Sequence, residues 1–159
     1  MTRISDGIAK IEKFLGAFLM FCMAVIITLS VAFRYFLNSP LSWAGEVSIF
    51  LLIWISFIGG SLGLKYKSQA SVTIFLEYVS ARISKILTLI SHICMLIFLL
   101  IILYYTYIWI LSPNVALQKS SGILLPMWIP YSAVPIGLTC ATIHILANFL
   151  IVLQEGEVK

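Results

Sequence analysis

The sequence predicts an all-α membrane protein with four transmembrane helices, because the chain is poor in charge and contains four long apolar runs. Of its 159 residues, 62% are hydrophobic and only 10% are charged. A soluble domain carries roughly 25% charged residues, so this chain has too few to cover a water-facing surface. Most of its surface must therefore face lipid or the apolar surface of a partner.

The four apolar runs are each long enough to form a span, since a helix needs about 20 residues to cross the hydrocarbon. We predict spans at about 14–34, 43–64, 86–111 and 127–153, within a single membrane domain covering 1–159. The first run exceeds the apolar core of about 7–15 residues in a signal peptide, so we expect it to remain as an anchor.

The fourth run contains two prolines with different expected effects. Pro130 suits the first turn of a helix, where a missing N–H costs little. Pro135 lies further inside the run, and we expect it to kink the helix.

Basic residues predict the orientation, because cytoplasmic loops are enriched in Lys and Arg. The first loop holds only Arg34 and the third only Lys119. We therefore predict that both termini and the second loop are cytoplasmic. The basic residues on that side are Arg3, Lys10, Lys13, Lys65, Lys67, Arg82 and Lys85.

The second loop contains a predicted amphipathic helix at about 71–84. Apolar residues recur there at helical spacing between Val72 and Ile86, with polar residues mostly on the other side of the helix. Such a segment is too polar to span and suits the membrane interface. The alternative is a water-facing cap over the helix ends.

Charged residues in or beside spans are costly and are the first candidates for function. Arg34 and Glu46 meet this condition near the outer ends of the first and second spans, where we expect them to interact, directly or through a partner residue. His92 and His144 lie at similar depths in the third and fourth spans, which leaves a haem-binding membrane cytochrome as an alternative. A stand-alone exporter would need an acid within the first span, and residues 14–34 contain none.

Other chemistry is not indicated by the sequence. It contains no H-E-x-x-H, G-x-S-x-G or P-loop motif, so we predict no enzyme, no resident cofactor and no metal site. Its basic residues flank apolar runs instead of forming a stripe, which argues against nucleic acid as a partner.

Rows of small residues predict close helix packing in the second and fourth spans. Gly59 and Gly63 form a G-x-x-x-G with Gly60 beside it. Ala133 and Gly137 begin a similar row that continues at residue 141. Such rows let helix backbones approach closely in lipid.

A series of short motifs follows in order along nearly the whole chain. These motifs are Arg34-Tyr35-Phe36, Ser42-Trp43-Ala44-Gly45-Glu46, Trp54 with Phe57-Ile58-Gly59-Gly60, Gln118 to Pro126, Trp128-Ile129-Pro130-Tyr131 and Pro135-Ile136-Gly137. Together they resemble the small (Q-type, DctQ-like) membrane subunit of tripartite ATP-independent periplasmic (TRAP) transporters. Gly60 stands where that family more usually has Ala, and the segment Ala70-Ser71-Val72-Thr73 lacks the family's usual His.

The resemblance implies a multi-pass subunit of a bacterial inner membrane, acting as scaffold in a sodium-driven importer of an organic acid. Its implied partners are a large membrane subunit that carries the substrate and sodium sites, a periplasmic binding protein, and membrane lipids. We predict no catalytic or substrate-binding residues. The predicted structural or interface residues are Arg34, Trp43, Glu46, Gly59, Gly60, Gly63, Pro130, Tyr131 and Gly137.

Overall fold

The structure is a computed structural model that describes residues 2–66 and 81–154 of the chain. Four of its helices are long and apolar enough to cross a membrane, which confirms the predicted all-α class. Two short helices precede the last long one. In chain order the helices are α1 Thr2–Phe36, α2 Ala44–Lys65, α3 Ala81–Ile110, α4 Pro113–Leu117, α5 Trp128–Tyr131 and α6 Ala133–Gln154.

The four long helices lie side by side in the order α1, α2, α6, α3. α2 and α6 occupy the middle and pack against each other, while α1 packs mainly against α2 and α3 packs against α6. The buried contact between α3 and α6 centres on Leu99, Ala141 and Ile145. Because α1 and α3 stand at the two edges, both leave broad apolar surfaces exposed.

α2 and α6 approach each other closely at Gly137. A Cβ atom placed there would lie 2.7 Å from the Cβ of Phe57 and 3.1 Å from its carbonyl carbon and oxygen. The neighbouring small residues Ala133 and Ala141 are 1% and 4% exposed. The row of small residues therefore lets two backbones touch, as is common in membrane helix pairs.

α1 begins at Thr2, well before the predicted span start at residue 14. The prediction excluded the charged N-terminal residues, but the helix buries Ser5, Ala9 and Glu12 along one side. These residues lie four and three positions apart and so share a helix face. At 1.5 Å per residue, the 35-residue helix is longer than the hydrocarbon is thick.

The fourth span is interrupted at Ser132, three residues before Pro135. α5 ends at Tyr131 and α6 begins at Ala133, so Pro135 is the third residue of α6. The first four N–H groups of a helix have no acceptor within that helix, so proline is tolerated there. The interruption falls within one turn of the proline, and the expected kink stays a prediction.

The predicted interfacial helix at about 71–84 falls mostly outside the described residues. The structure takes up the chain again at Ala81, where α3 begins. The last predicted positions, 81–84, therefore belong to the first turn of this long apolar helix. The proposed interfacial location of the preceding residues stays a prediction.

Candidate functional site

A buried polar cluster joins three helices at the end of the bundle where α1 begins and α2 ends, which we call the basic end. His144 of α6 is 0% exposed, and both of its ring nitrogens are engaged. Nδ1 lies 2.7 Å from Ser5 Oγ, and Nε2 lies 2.8 Å from Glu12 Oε2. Lys65 of α2 donates to Ser5 Oγ at 2.8 Å and forms an ion pair with the exposed Asp6.

The contacts of this cluster run from α2 through α1 to α6. The Lys65 ammonium can only donate, so Ser5 Oγ accepts from it, and the same hydroxyl lies within hydrogen-bond distance of His144 Nδ1. His144 Nε2 pairs with the Glu12 carboxylate. The cluster thus connects the exposed Asp6 to the buried Glu12.

The Ser5–His144–Glu12 connectivity is that of a hydrolase triad, but its surroundings do not suit catalysis. Ser5 is 2% exposed, and its oxygen already accepts from Lys65. A nucleophile needs a free approach to a substrate carbonyl, which this packing denies. The cluster is better understood as polar contacts that hold transmembrane helices together.

Glu12 was not among the predicted site residues, because the first span was predicted to start at residue 14. Once α1 is extended, Glu12 faces α6 and is only 5% exposed. The spacing of Ser5, Ala9 and Glu12 on one helix face is the signal that could have indicated it. Glu12 Oε1 and Ser61 Oγ are buried polar atoms without a hydrogen-bond partner among the described residues.

The histidines do not support the haem alternative. Both nitrogens of His144 are occupied within the cluster. His92 bonds through Nδ1 to the Thr88 carbonyl at 2.8 Å, and its ring lies 6.5 Å from that of Phe149. Within residues 2–66 and 81–154, no group of three metal-ligating side chains occurs.

At the opposite end of the bundle, which we call the hairpin end, Glu46 binds a loop. Its carboxylate accepts three consecutive backbone N–H groups, each at 3.0 Å, from Ser121, Gly122 and Ile123. Hydrogen bonds to an ionised acceptor are stronger than neutral ones. The first turn of α2 is therefore fastened to a segment about 75 residues later in the chain.

The bound loop is a short hairpin of residues 118–127. Ser120 N–H donates to the Leu125 carbonyl at 2.9 Å, and Met127 N–H donates to the Gln118 carbonyl at 2.9 Å. At its tip, Leu124 has a φ of 55°. A Cβ atom at Gly122 would lie 2.6 Å from Glu46 Oε2, so a larger residue there requires the carboxylate to shift.

The expected direct ion pair between Arg34 and Glu46 does not form. Both Glu46 oxygens bind the hairpin. Arg34 is exposed, has no polar partner in the part of the chain that the structure describes, and lines a cavity of about 220 Å³ between α1 and α2. An interaction through a residue of another protein stays a prediction.

Three other predicted interface residues lie near the hairpin end. Trp43 precedes α2 and is 39% exposed, without capping α2 through its side chain. Pro130 is buried in α5, and the Tyr131 ring lies 4.9 Å from that of Trp109. The contact between the Tyr131 and Trp109 rings joins α5 to the end of α3.

The remaining predicted residues are glycines in two different settings. Gly137 is buried against Phe57. Gly59 and Gly60 are exposed, and a Cβ atom at either would meet nothing within 4 Å. Gly63 is partly buried one turn further along α2. A Cβ atom at Gly137 would thus overlap the neighbouring helix, whereas one at Gly59 or Gly60 would not.

An apolar groove of about 450 Å³ lies beneath the hairpin. Leu15 and Leu19 of α1 form one wall, and Trp54 of α2 lies on another. Ile123 and Leu125 of the hairpin complete it. Trp54, near the middle of α2, thus lines this groove instead of lying at an end of the helix.

Replacing Glu46 by alanine is expected to free the hairpin tip. Hydrogen bonds to charged groups contribute about 1.5–3 kcal/mol each, so amide exchange at 121–123 should accelerate at least about tenfold. Glutamine keeps one accepting oxygen and should give an intermediate rate. Amides in the middle of α6 serve as the internal control. Unchanged exchange at 121–123 in the alanine variant would show that the carboxylate does not hold the loop.

Comparison with known proteins gives a consistent set of matches. A family model described as "Tripartite ATP-independent periplasmic transporters, DctQ component" matches residues 23–155. The C4-dicarboxylate TRAP transporter small permease protein DctQ of Vibrio cholerae serotype O1 is 27% identical, over 91% of this chain and 72% of that protein. The sialic acid TRAP transporter small permease protein SiaQ of the same organism is 26% identical, over 63% of this chain and 59% of that protein.

A third match is a longer, fused protein. The isethionate TRAP transporter permease protein DctMQ of Oleidesulfovibrio alaskensis is 26% identical over 81% of this chain. The matched region makes up 21% of that protein's length.

Proposed function

Because this chain belongs to the DctQ family of small permease components of TRAP transporters, we propose that it is the scaffold for a large transport subunit. The family is one of transporter subunits and not of enzymes. In this proposal the complete system imports an organic acid, is driven by sodium, and receives its substrate from a periplasmic binding protein. The small subunit fixes the depth and position of its partner in the membrane.

This proposal is carried by one observation: the threonine hydroxyl groups in the spans are hydrogen-bonded within their own helices. Thr28, Thr139 and Thr142 each donate to a carbonyl one turn earlier in their own helix, at 2.8, 2.6 and 2.8 Å. Such hydroxyls are satisfied locally and are unavailable to a dehydrated carboxylate. An anion that crosses lipid needs cations, helix N-termini or free donors. Arg34 and Ser56 are not bonded in this way, but Ser56 lies eleven residues along α2 from Gly45, which lines the Arg34 cavity. No converging set of donors is therefore formed among the described span residues, which supports placing the substrate site elsewhere.

The substrate class is inferred from the relatives. Two of them carry the names of C4-dicarboxylate and sialic acid transporters. We infer for this chain an organic acid of that range: a C4-dicarboxylate, a sialic acid or another sugar acid.

The partners follow from the family and from the fused relative. The DctMQ protein supports a large permease subunit as a direct neighbour, because it unites both parts in one chain. A periplasmic binding protein is the expected third component. Its approach would be from the hairpin end, where Gln118 and Lys119 are exposed.

We also propose that the protein resides in the bacterial inner membrane with its basic end toward the cytoplasm. Lys10, Lys13 and Lys65 lie at that end, and the positive-inside rule favours it for the cytoplasmic side. Reporter fusions after Lys119 and after Gln154 should then report opposite sides. Finding both on one side would contradict this topology.

Reconstitution tests the scaffold proposal. Proteoliposomes holding the large subunit, the binding protein and this chain should show sodium-driven uptake, and omission of this chain should abolish it. Single changes of Thr28, Ser56, Thr139 or Thr142 to alanine should leave substrate affinity within about twofold, because none of them is expected to touch substrate. A large loss of affinity in any of them would place a substrate site in this chain.

A further inference from the structure

One exposed face of α2, together with the end of α1 beside it, lacks the partners that its residues need. We call it the α1–α2 face. Along α2 its residues recur at intervals of four, three, four and three, so they form one stripe of the helix. The face comprises Arg34, Gly45, Ile49, Leu52, Ser56 and Gly59, all exposed.

Arg34 supplies an unpaired positive charge at one end of this face. Its cavity of about 220 Å³ is shared with Gly45, which begins the α2 stripe. The small residues Ser30 and Ser48 also line it, so it has room for a side chain from outside. Among residues 2–66 and 81–154 this cation has no counter-charge, and an acid from a neighbouring protein could supply one.

Ser56 supplies an unbonded hydroxyl in the middle of the face. Other hydroxyls in the long helices, such as Ser48 and Thr106, donate to a carbonyl one turn earlier. Ser56 is exposed and makes no hydrogen bond within the described residues. A lipid tail cannot bond a hydroxyl, whereas a neighbouring helix can.

The third feature of this face is a pair of glycines, Gly45 and Gly59, beside which the described part of this subunit leaves open space. A Cβ atom at Gly45 or Gly59 would meet nothing within 4 Å. Glycine inside a helix is less favourable than alanine, so an open glycine on a span suggests that another backbone approaches it. At Gly137, by contrast, the approaching backbone is within the chain.

We propose that the α1–α2 face binds a transmembrane helix of the large subunit, and that an acidic side chain of this helix pairs with Arg34. This inference rests on the proposed function and names the surface through which the scaffold acts. A second copy packed through the same face would not supply this acid, because Arg34 is the one charged residue among the six that form the face. A lipid phosphate could meet Arg34 but would leave Ser56 unbonded.

Co-purification of the large subunit with the tagged small subunit tests the proposal. Arg34→Glu and Gly59→Leu should each lower recovery of the large subunit at least about tenfold, which corresponds to the loss of one well-formed contact. Arg34→Lys keeps the charge and should lose less. The matched controls are Lys119→Glu, an exposed cation at the hairpin end, and Gly7→Leu, an exposed glycine with open space on another part of α1.

The possible outcomes separate this inference from the proposed function. If the unchanged small subunit recovers no large subunit, both fail. If the unchanged subunit recovers the large subunit, and Arg34→Glu and Gly59→Leu recover as much as their controls, then the α1–α2 face is not the binding surface and the proposed function stands. If the small subunit associates with itself in the absence of the large subunit, and the face variants lose this association, the face binds a second copy. If Arg34→Glu loses a co-purified lipid but still recovers the large subunit normally, the face binds lipid. Either result overturns the proposal.

Discussion

Replacing Gly137 by leucine is expected to abolish the folded subunit. The first added carbon alone would lie 2.7 Å from the Cβ of Phe57 and 3.1 Å from its backbone, so α2 and α6 would have to separate. Gly137→Ala should cost about 1–3 kcal/mol, as overpacking of a close contact does. Leucine adds three further carbons at the same point and should leave no cooperative unfolding transition in detergent.

The control for this prediction is the same substitution where space is open. Gly59→Leu adds the same atoms to α2, where a Cβ atom meets nothing within 4 Å. The isolated subunit should therefore melt as the unchanged protein does, or slightly higher, since leucine favours helix over glycine. If Gly137→Leu also melts normally, the close contact of α2 and α6 is not as described.

Removing His144 is the second change with a large expected effect. His144→Leu leaves the Glu12 carboxylate buried without its donor at 2.8 Å, and breaking a buried pair in this way costs about 3–5 kcal/mol. Replacing both Glu12 and His144 by leucine removes the unpaired charge as well. The double variant should therefore unfold with a smaller loss than the sum of the two single variants, measured by equilibrium unfolding in micelles.

His92 provides the matched comparison for His144. It is also a buried histidine, 7% exposed, but its described hydrogen bond goes to a carbonyl of its own helix. His92→Leu strands no buried carboxylate and should cost clearly less. Equal losses for His92→Leu and His144→Leu, or strict additivity of the Glu12 and His144 changes, would show that the cluster does not act as a unit.

The spans were predictable because they depend on local composition. A run such as residues 86–111 is long and apolar whatever it packs against, so hydropathy alone identifies it. The small residues around Gly137 also indicated a close helix contact, although not that Phe57 would form its other side. The motif series from Arg34 to Gly137 was sufficient to indicate the family.

The polar contacts were not predictable, because each depends on residues far apart in sequence. Glu12 is an ordinary charged residue before an apolar run until α1 is extended and α6 is placed beside it. Glu46 looked like a partner for Arg34 because both lie near the same interface. Three backbone N–H groups of the hairpin proved a better set of donors, and no side-chain pattern reveals where such donors converge.

The bond between Glu12 and His144 has a consequence for how the protein is made. The two residues are 132 positions apart, so Glu12 on the first helix cannot contact His144 until most of the chain has been synthesised. The contact between Ser5 and His144 spans 139 positions and depends on the same late helix. A chain interrupted before α6 would hold a carboxylate in the membrane with no histidine to meet it. We therefore expect chains that end before α6 to be less stable and more readily degraded than the full chain, because Glu12 lacks its partner in them.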